Sequence, residues 1–379
     1  MNPLMQDGPD SHDVVVVGGG LVGMALAYGL ARQGRGVTVL DEGDVAHRAS
    51  RGNFALIWVQ GKGLAMPAYA DWTLRSADLW GGLAAGLSRE TGIDLGYSRR
   101  GGFSLSLSAA DLEDRAGRMT RLHNQLAAPA TFEVLDRSAL GDRLPAIGPE
   151  VAGGIYCPAD GHVNVLRLFG ALHRAAQTQG IRYRPNTPVQ DIARHPRGVA
   201  VRTGGGEIRA RTLVLAAGLD NARLAPMVGL RAPVRPQRGQ VIVTEKVAPF
   251  LDHPLGTVRQ TDEGSVMIGD SKEEVGFDDG TQSHVLGGIA DQAVRMFPLL
   301  ARAQVVRSWG ALRVMSPDGH PIYERSRTLP AAYLVTCHSG VTLAAAHALV
   351  LAQRIATETW SEDLAPFAAG RFADVPQAA

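Results

Sequence analysis

The chain has 379 residues, 45% of them hydrophobic, enough to bury a large core and to form about two domains. Lys and Arg number 38 against 37 Asp and Glu, a net charge of +1, so no charge field recommends nucleic acid or an anionic membrane as a partner. The two cysteines, Cys157 and Cys337, make neither a disulfide framework nor a metal cluster, and no metal is expected.

The first residues, MNPLMQDGPDSHD, are polar and acidic and do not read as a signal peptide. The apolar runs Val14–Val17 and Leu213–Ala217 are far too short to span a bilayer, so no integral membrane segment is expected. A soluble cytoplasmic protein with a flexible start over 1–11 is the expectation. Residues 12–44, HDVVVVGGGLVGMALAYGLARQGRGVTVLDEGD, carry the strongest signal. Val14–Val17 is a β-branched run suited to a strand buried on both faces of a parallel sheet. Gly18, Gly20 and Gly23 follow at G-x-G-x-x-G spacing. Such glycines allow a tight turn, a close backbone approach to a pyrophosphate, and close helix–strand packing. Met24–Gln33 has a helical pattern ended by Gly34 and Gly36, and Val37–Leu40 is a second strand ending on Asp41 and Glu42. Acids there lie about 20 residues past the glycines, where they can bind ribose hydroxyls. Strand, glycines, helix, strand and acid in that order specify a dinucleotide site.

Further along, a polar segment, VAHRASRGNFALIWVQGKG, interrupts the βαβ pattern, and 68–92 is expected to be helical with Trp72, Leu79, Trp80, Leu83 and Leu87 on one face. GYSRRGGFSLSLS within 94–107 suggests a hairpin, and 111–127 an amphipathic helix. GIYCPADGHVNVLRLFGALHRAAQTQG reads as strand, turn and helix. IRYRPNTPVQDIARHPRGVAVRTGGGEIRARTLVLAAG reads as a β-meander entering a buried strand, with glycines 204–206 as a hairpin turn. The block 233–308 is mostly β, with VIVTEK and SVMIGDS as strands and a helix near 284–297. YLVTC at 333–337 is a buried strand, HSG a turn, and VTLAAAHALVLAQRIATE a small-residue helix. The expected fold is α/β. A Rossmann-like nucleotide domain is assembled from 12–90, 150–228 and 306–379, with a smaller mixed-sheet α+β substrate domain from 91–149 and 229–305. There is no second G-x-G-x-x-G for a nicotinamide cofactor, and the break after Asp41 favours FAD over NAD(P).

These motifs in order, from VVVVGGGLVG through ASRGNFALI, DGHVNVLRLFGAL, TPV, LVLAAG and WGALRVMSPDGHPI to HSGVTLAAAH, resemble the D-amino-acid oxidase-like (DAO) superfamily of FAD enzymes, glycine and sarcosine oxidases in particular. The resemblance covers roughly 12–360. It implies a pyrophosphate turn at Gly18, Gly20, Leu21, Val22 and Gly23, and ribose contacts from Asp41 and Glu42. It further implies pyrophosphate contacts from Ala49, Ser50 and Arg51, a segment under the flavin at Asn53, Phe54, Ala55 and Leu56, an adenine contact from the backbone of Val189, and a strand end over the cofactor at Gly218. His338, Ser339, Gly340, Val341 and Thr342 match the turn facing the flavin's pyrimidine edge. Backbone N–H groups and the start of the following helix can there stabilise negative charge. The imidazole of His338 is expected to pack as a satisfied structural histidine.

Arg313 stands where glycine oxidase-like enzymes hold the substrate carboxylate, a role suited to a planar bidentate donor. Trp58, Lys62 and Arg259 are candidates to line the pocket or bind a second carboxylate, and each is equally readable as structural. Val314, Glu324 and Cys337 replace the proline, glycine and glycine common in the family. WGALRVM has no cysteine where sarcosine oxidases attach FAD, implying noncovalent FAD. Met267 replaces a lysine that helps oxygen react, implying slow reaction with oxygen. IWVQGKG, RQTDEGSVMIGDSKEEVGFD and CHSGVTLAAAH are most similar to the flavin subunits of bacterial opine and D-hydroxyproline dehydrogenases. The resemblance implies oxidation of an amino acid or opine-like secondary amine by hydride transfer to flavin N5, no named protein base, and partner subunits that take the electrons. Alternatives are an oxidase using oxygen directly, an electron-transfer or assembly subunit without its own amine chemistry, and a tRNA wobble-uridine enzyme. The absence of a basic stripe counts against the last of these.

Overall fold

A computed structural model describes residues 11–43, 49–269 and 271–374. The expectation of a flexible start lies outside them, apart from residue 11, which begins the first strand. The strand Ser11–Val17 has Val14, Val15 and Val16 fully buried and pairs in parallel with Val37–Leu40 on one side and Gly206–Leu215 on the other. Parallel pairing continues outward to Arg182–Arg184 and to Ala332–Thr336, with Ile322–Arg325 antiparallel at the far edge. The meander Val189–His195 and Gly198–Thr203 completes an eight-stranded sheet, turning into Gly206–Leu215 through the expected glycines.

Helix Leu21–Arg32 starts three residues earlier than its apolar pattern suggests, so Gly23 lies inside it. It buries Leu21, Met24, Leu26 and Leu30 and runs against the C-terminal helix, where a Cβ on Gly29 would overlap the Ala348 carbonyl. That partner begins at Ala344–Ala346, passes through a π-type stretch at His347–Leu351 and ends as Ala352–Ala356. Helices Pro67–Thr91, Ala109–Asn124, Val165–Thr178 and Ser283–Met296 lie where the periodicity places them. None of the described helices is long and apolar enough to cross a membrane.

A second sheet holds four antiparallel strands in the order Val258–Gln260, Ser265–Gly269, Arg235–Lys246, Val305–Met315. One face, with Ile242, Val258, Val266 and Ile268, packs into a core with Ile289, Ala293 and Met296 of helix Ser283–Met296. The hairpin expected over 94–107 does not form. Gly102–Ser106 is a strand, but its partner is Gly153–Cys157, which in turn takes Glu133–Asp136 on its other side. The alternation marks one strand, buried over most of its length, whereas Gly96 and Gly101, at φ +58° and +87°, turn the preceding chain away.

Candidate functional site

A cavity of about 520 Å³ opens at the carboxyl ends of the parallel strands, lined by the residues just after Val17, Leu40, Leu215 and Val335. Ligands of open α/β sheets bind at that end. Gly18, Gly20, Leu21, Val22, Asp41, Glu42, Ala49, Ser50, Asn53, Val189, Gly218, His338 and Gly340 line it, as expected of a dinucleotide cradle. Gly18 is held at φ +106°, where a Cβ would overlap the Ala216 carbonyl oxygen. A Cβ on Gly23 would overlap the Gly18 carbonyl oxygen, so this glycine sets the helix–strand distance. Gly20 faces Ser50 instead, whose Oγ accepts from the Leu21 N–H at 2.9 Å. Ser50 thus closes the loop from outside.

Asp41 accepts the Gly19 N–H at 2.6 Å and the Gly43 N–H at 3.0 Å, so its carboxylate is engaged in shaping the loop. Glu42 beside it is exposed and lines the cavity. Arg223 gathers this end, donating to the Val189 carbonyl at 2.8 Å and to Asp220 at 2.7 Å. Thr187, first residue of the TPV motif, lines the cavity, as do Asp220 and Arg223, which were not singled out in the sequence and follow the buried end of Gly206–Leu215. Arg51 is exposed and is not among the cavity-lining residues.

The opposite group gathers around the helix start, where a Cβ on Gly340 would touch Val22 at 3.5 Å. Thr336, Cys337, His338 and Gly340 meet Asn53, Leu312 and Val314 here. Across the glycine loop from Asp41 and Glu42, this second group stands at the end of the cavity where the sequence reading expects the flavin ring. Burial pushes the Cys337 thiol up to about 12, which keeps it protonated and unreactive. His338 departs from expectation. Its Nδ1 is buried and has no hydrogen-bond partner among the described residues. Burial, then the charges of Lys62, Arg313 and Lys272, hold its imidazole well below the usual range and therefore neutral. An orphaned polar atom beside a glycine cradle fits a polar ligand such as FAD.

Asn53 Oδ1 accepts the Ala55 N–H at 2.7 Å and holds Ala55 at φ +69°. Leu56–Ile57 pairs with Gly161–His162, and Thr342 Oγ1 joins the Trp58 N–H to the Leu56 carbonyl, at 3.1 and 3.2 Å. The Trp58 indole packs on Gly102 and Gly256, whose added Cβ atoms would stand 2.8 and 3.6 Å from it. Asp160 is a missed residue. Fully buried, it binds the Val59 N–H and the Gln60 side chain at 2.5 Å each and clasps the 57–63 loop. Nothing in PADG marks it in advance. Lys62 reaches Ser339, as does Tyr69, another residue not singled out. Val341 is buried just before the C-terminal helix.

Cross-strand register places Arg259 opposite Met267, Met267 opposite Val243, Trp309 opposite Val241, and Arg313 opposite Gln237. Opposed residues share a face, so Arg259, Met267, Trp309 and Arg313 lie together on the face away from the helix-packed core. Residues 52–54 cover that face. Trp309 Nε1 donates to the Gly52 carbonyl at 3.2 Å, and Phe54 lies 3.3 Å from where a Gly269 Cβ would be. Arg259 is 4% exposed, donates to the Phe54 carbonyl at 2.7 Å, and forms no ion pair among the described residues. Burial lowers it to about 10, which leaves it a cation at neutral pH. Arg313 is half-buried over Gly239 and donates from Nη1 to the carbonyls of Ser271 at 2.8 Å and Arg238 at 3.1 Å. No cluster of His, Cys, Asp and Glu among the described residues could hold a metal ion.

Comparison with known proteins agrees with this geometry. An opine oxidase subunit from Agrobacterium tumefaciens (strain Ach5) is 49% identical, over 95% of this chain and 97% of that protein. The opine oxidase subunit of the same name from Rhizobium meliloti is 46% identical, over 97% of this chain and 99% of that protein. The crystal structure of glycine oxidase from Geobacillus kaustophilus shares the fold, with a TM-score of 0.87 at 24% identity over 95% of this chain and 98% of that one. The sequence profile of the DAO family, FAD dependent oxidoreductase, matches residues 13–354. With the glycine cradle, its acids and the strand-end cavity in place, the chain belongs to the DAO family of FAD-dependent oxidoreductases.

Proposed function

We propose that this FAD-dependent oxidoreductase takes an amino acid or secondary amine bearing a carboxylate, of the opine or proline-like class, and hands the electrons to a partner subunit in the cytoplasm. The observation that carries the reading is the sheet face with Arg259 and Arg313. Arg259 is a buried cation without an ion pair among the described residues. Such a charge is costly unless an anion meets it. Arg313 anchors one carboxylate, and Arg259 suits a second one on a two-carboxylate substrate. The relatives named as opine oxidase subunits support both the substrate class and a heteromeric assembly.

FAD when bound supplies the two-electron acceptor for the carbon beside the amine. Gly18–Gly23, Ser50 and Glu42 hold its pyrophosphate and ribose, and the Val189 backbone meets its adenine. Arg313 fixes the substrate carboxylate and so fixes which carbon faces the ring. His338, kept neutral, adds no proton of its own at neutral pH. No protein base is assigned, because an amine bound in its neutral form needs none. Cys337 stays a thiol and WGALRVM has no cysteine, which supports FAD held without a covalent bond. Met267 carries no charge of its own, although the Arg259 guanidinium donates to its Sδ at 2.8 Å, so the reading of a partner as acceptor is supported by the relatives named as oxidase subunits.

Arg313→Ala and Arg259→Met test this reading. Each loses a hydrogen bond to a charged group, worth about 1.5–3 kcal/mol, or about ten- to a hundred-fold in kcat/KM. The losses are expected with carboxylated amines and not with their decarboxylated counterparts, and Arg259→Met is expected to affect dicarboxylates most. Flavin content stays normal in Arg313→Ala, and Arg259→Met, which also frees the Phe54 carbonyl, is compared per bound flavin. Wild-type kcat/KM for every carboxylated amine in both variants would place the anchor elsewhere.

A further inference from the structure

Lys62 has a placement that substrate binding does not explain. Its Nζ donates to Ser339 Oγ at 2.8 Å, and Tyr69 OH donates to the same oxygen at 2.9 Å. A serine hydroxyl has two acceptor sites and one proton. Both acceptor sites of Ser339 are used, which leaves its proton for an acceptor other than these two. Ser339 is 8% exposed, and the residues on either side of it, His338 and Gly340, line the ring end of the cavity.

The loop that carries Lys62 is held firmly. Gly61 and Gly63 turn it at φ +74° and +81°, Asp160 clasps Val59 and Gln60, and Thr342 binds the Trp58 N–H. Lys62 forms no ion pair among the described residues, and the nearest acid that feels its charge, Asp160, is raised to about 7 by burial and so is only partly ionised at neutral pH. A half-buried cation fixed in advance acts more strongly on nearby charge than one free in water.

Two electrons and one proton delivered to a flavin leave one negative charge on its ring. We propose that Lys62, acting through Ser339, is the positive charge that stabilises the reduced, anionic ring of the bound FAD. The proposal rests on the ring end assigned above. Neither of its readouts needs an amine, so it stands or falls separately from the substrate reading.

The test uses the FAD-bound protein and two measurements, the midpoint potential of the flavin and its affinity for sulfite. Sulfite adds to the oxidised ring and leaves the same negative charge. Lys62→Met is expected to lower the equilibrium constant for reduction at least tenfold, about 30 mV for a two-electron couple, and to weaken sulfite binding to match. Lys62→Arg restores both, and Tyr69→Phe, which removes a bond to Ser339 but no charge, moves neither. Lys62→Gln is expected to behave as Lys62→Met and covers loss of FAD from that variant. Wild-type potential and sulfite affinity in a neutral variant would overturn the proposal. So would equal shifts in Tyr69→Phe, or loss of FAD from both neutral variants, since Lys62 would then govern geometry or retention.

Discussion

Gly239→Ala should impair carboxylate binding without altering a single charge. A Cβ on Gly239 stands 2.5 Å from Cζ and Nη1 of Arg313, where ordinary contact begins at 3.4 Å. The guanidinium therefore retreats by at least about 0.9 Å, since Nη2 stands closer still. Gly239 lies in an extended strand and does not have a positive φ, so alanine adds no backbone strain. What yields is the end of a flexible side chain, and stability should change little. Misplacing a binding group by about 1 Å can cost on the order of 100-fold in rate. Losing one charge-assisted hydrogen bond alone costs about ten- to a hundred-fold in kcat/KM. Steady-state kcat/KM with a carboxylated amine and an artificial electron acceptor measures the loss, and the ratio of flavin to protein absorbance checks retention of FAD. A Gly239→Ala enzyme with full FAD and unchanged kcat/KM for every carboxylated amine would refute the assignment of Arg313.

Gly23→Ala should yield protein purified without its flavin and destabilised by about 1–3 kcal/mol or more, because the added methyl meets backbone that cannot give. Gly20→Ala, whose Cβ meets Ser50 Oγ at 2.9 Å within the chain, should be milder in the melting assay yet still lose flavin, because the second glycine admits the pyrophosphate. Burial raises Asp160 from 3.8 to about 7, against the hydrogen bonds from Val59 and Gln60. Its contribution to stability is thus full below pH 3.8 and is lost as pH rises through about 7. Urea midpoints near pH 5 and about pH 8 should show that loss in the wild type and much less of it in Asp160→Asn, and parallel responses would contradict it. Acid precipitation should release FAD into solution; flavin left in the pellet would mean a covalent bond.

The nucleotide half was legible because its chemistry is local. Val14–Val17, the glycines and Val37–Leu40 follow one another within 30 residues, and each is readable from its own neighbours. The cavity's far side was reachable through buried strands that end in turns, such as Ala332–Thr336 before His338. Pairing between distant segments was not legible. Gly102–Ser106 alternates like a hairpin strand, yet its partner lies some 50 residues on, and nothing local declares it. The same applies to Ser50 on the Leu21 N–H, to Asp160 on Val59, and to Tyr69 and Lys62 on Ser339. Each depends on where two loops meet. Arg259 was readable as a candidate, but its lack of an ion pair among the described residues is a property of packing. His338 shows the reverse, since its ring was expected to be satisfied by packing and its Nδ1 has no hydrogen-bond partner among the described residues.

The central claim is that this chain, by itself, oxidises amines that carry a carboxylate. Anaerobic mixing of the FAD-bound chain with amino acids, with one- and two-carboxylate secondary amines, and with their decarboxylated counterparts tests it directly. The predicted result is loss of the flavin's visible absorbance that is about ten- to a hundred-fold faster with carboxylated secondary amines than with the decarboxylated set. Flavin that stays oxidised with every amine, or that bleaches equally well without a carboxylate, would contradict the account.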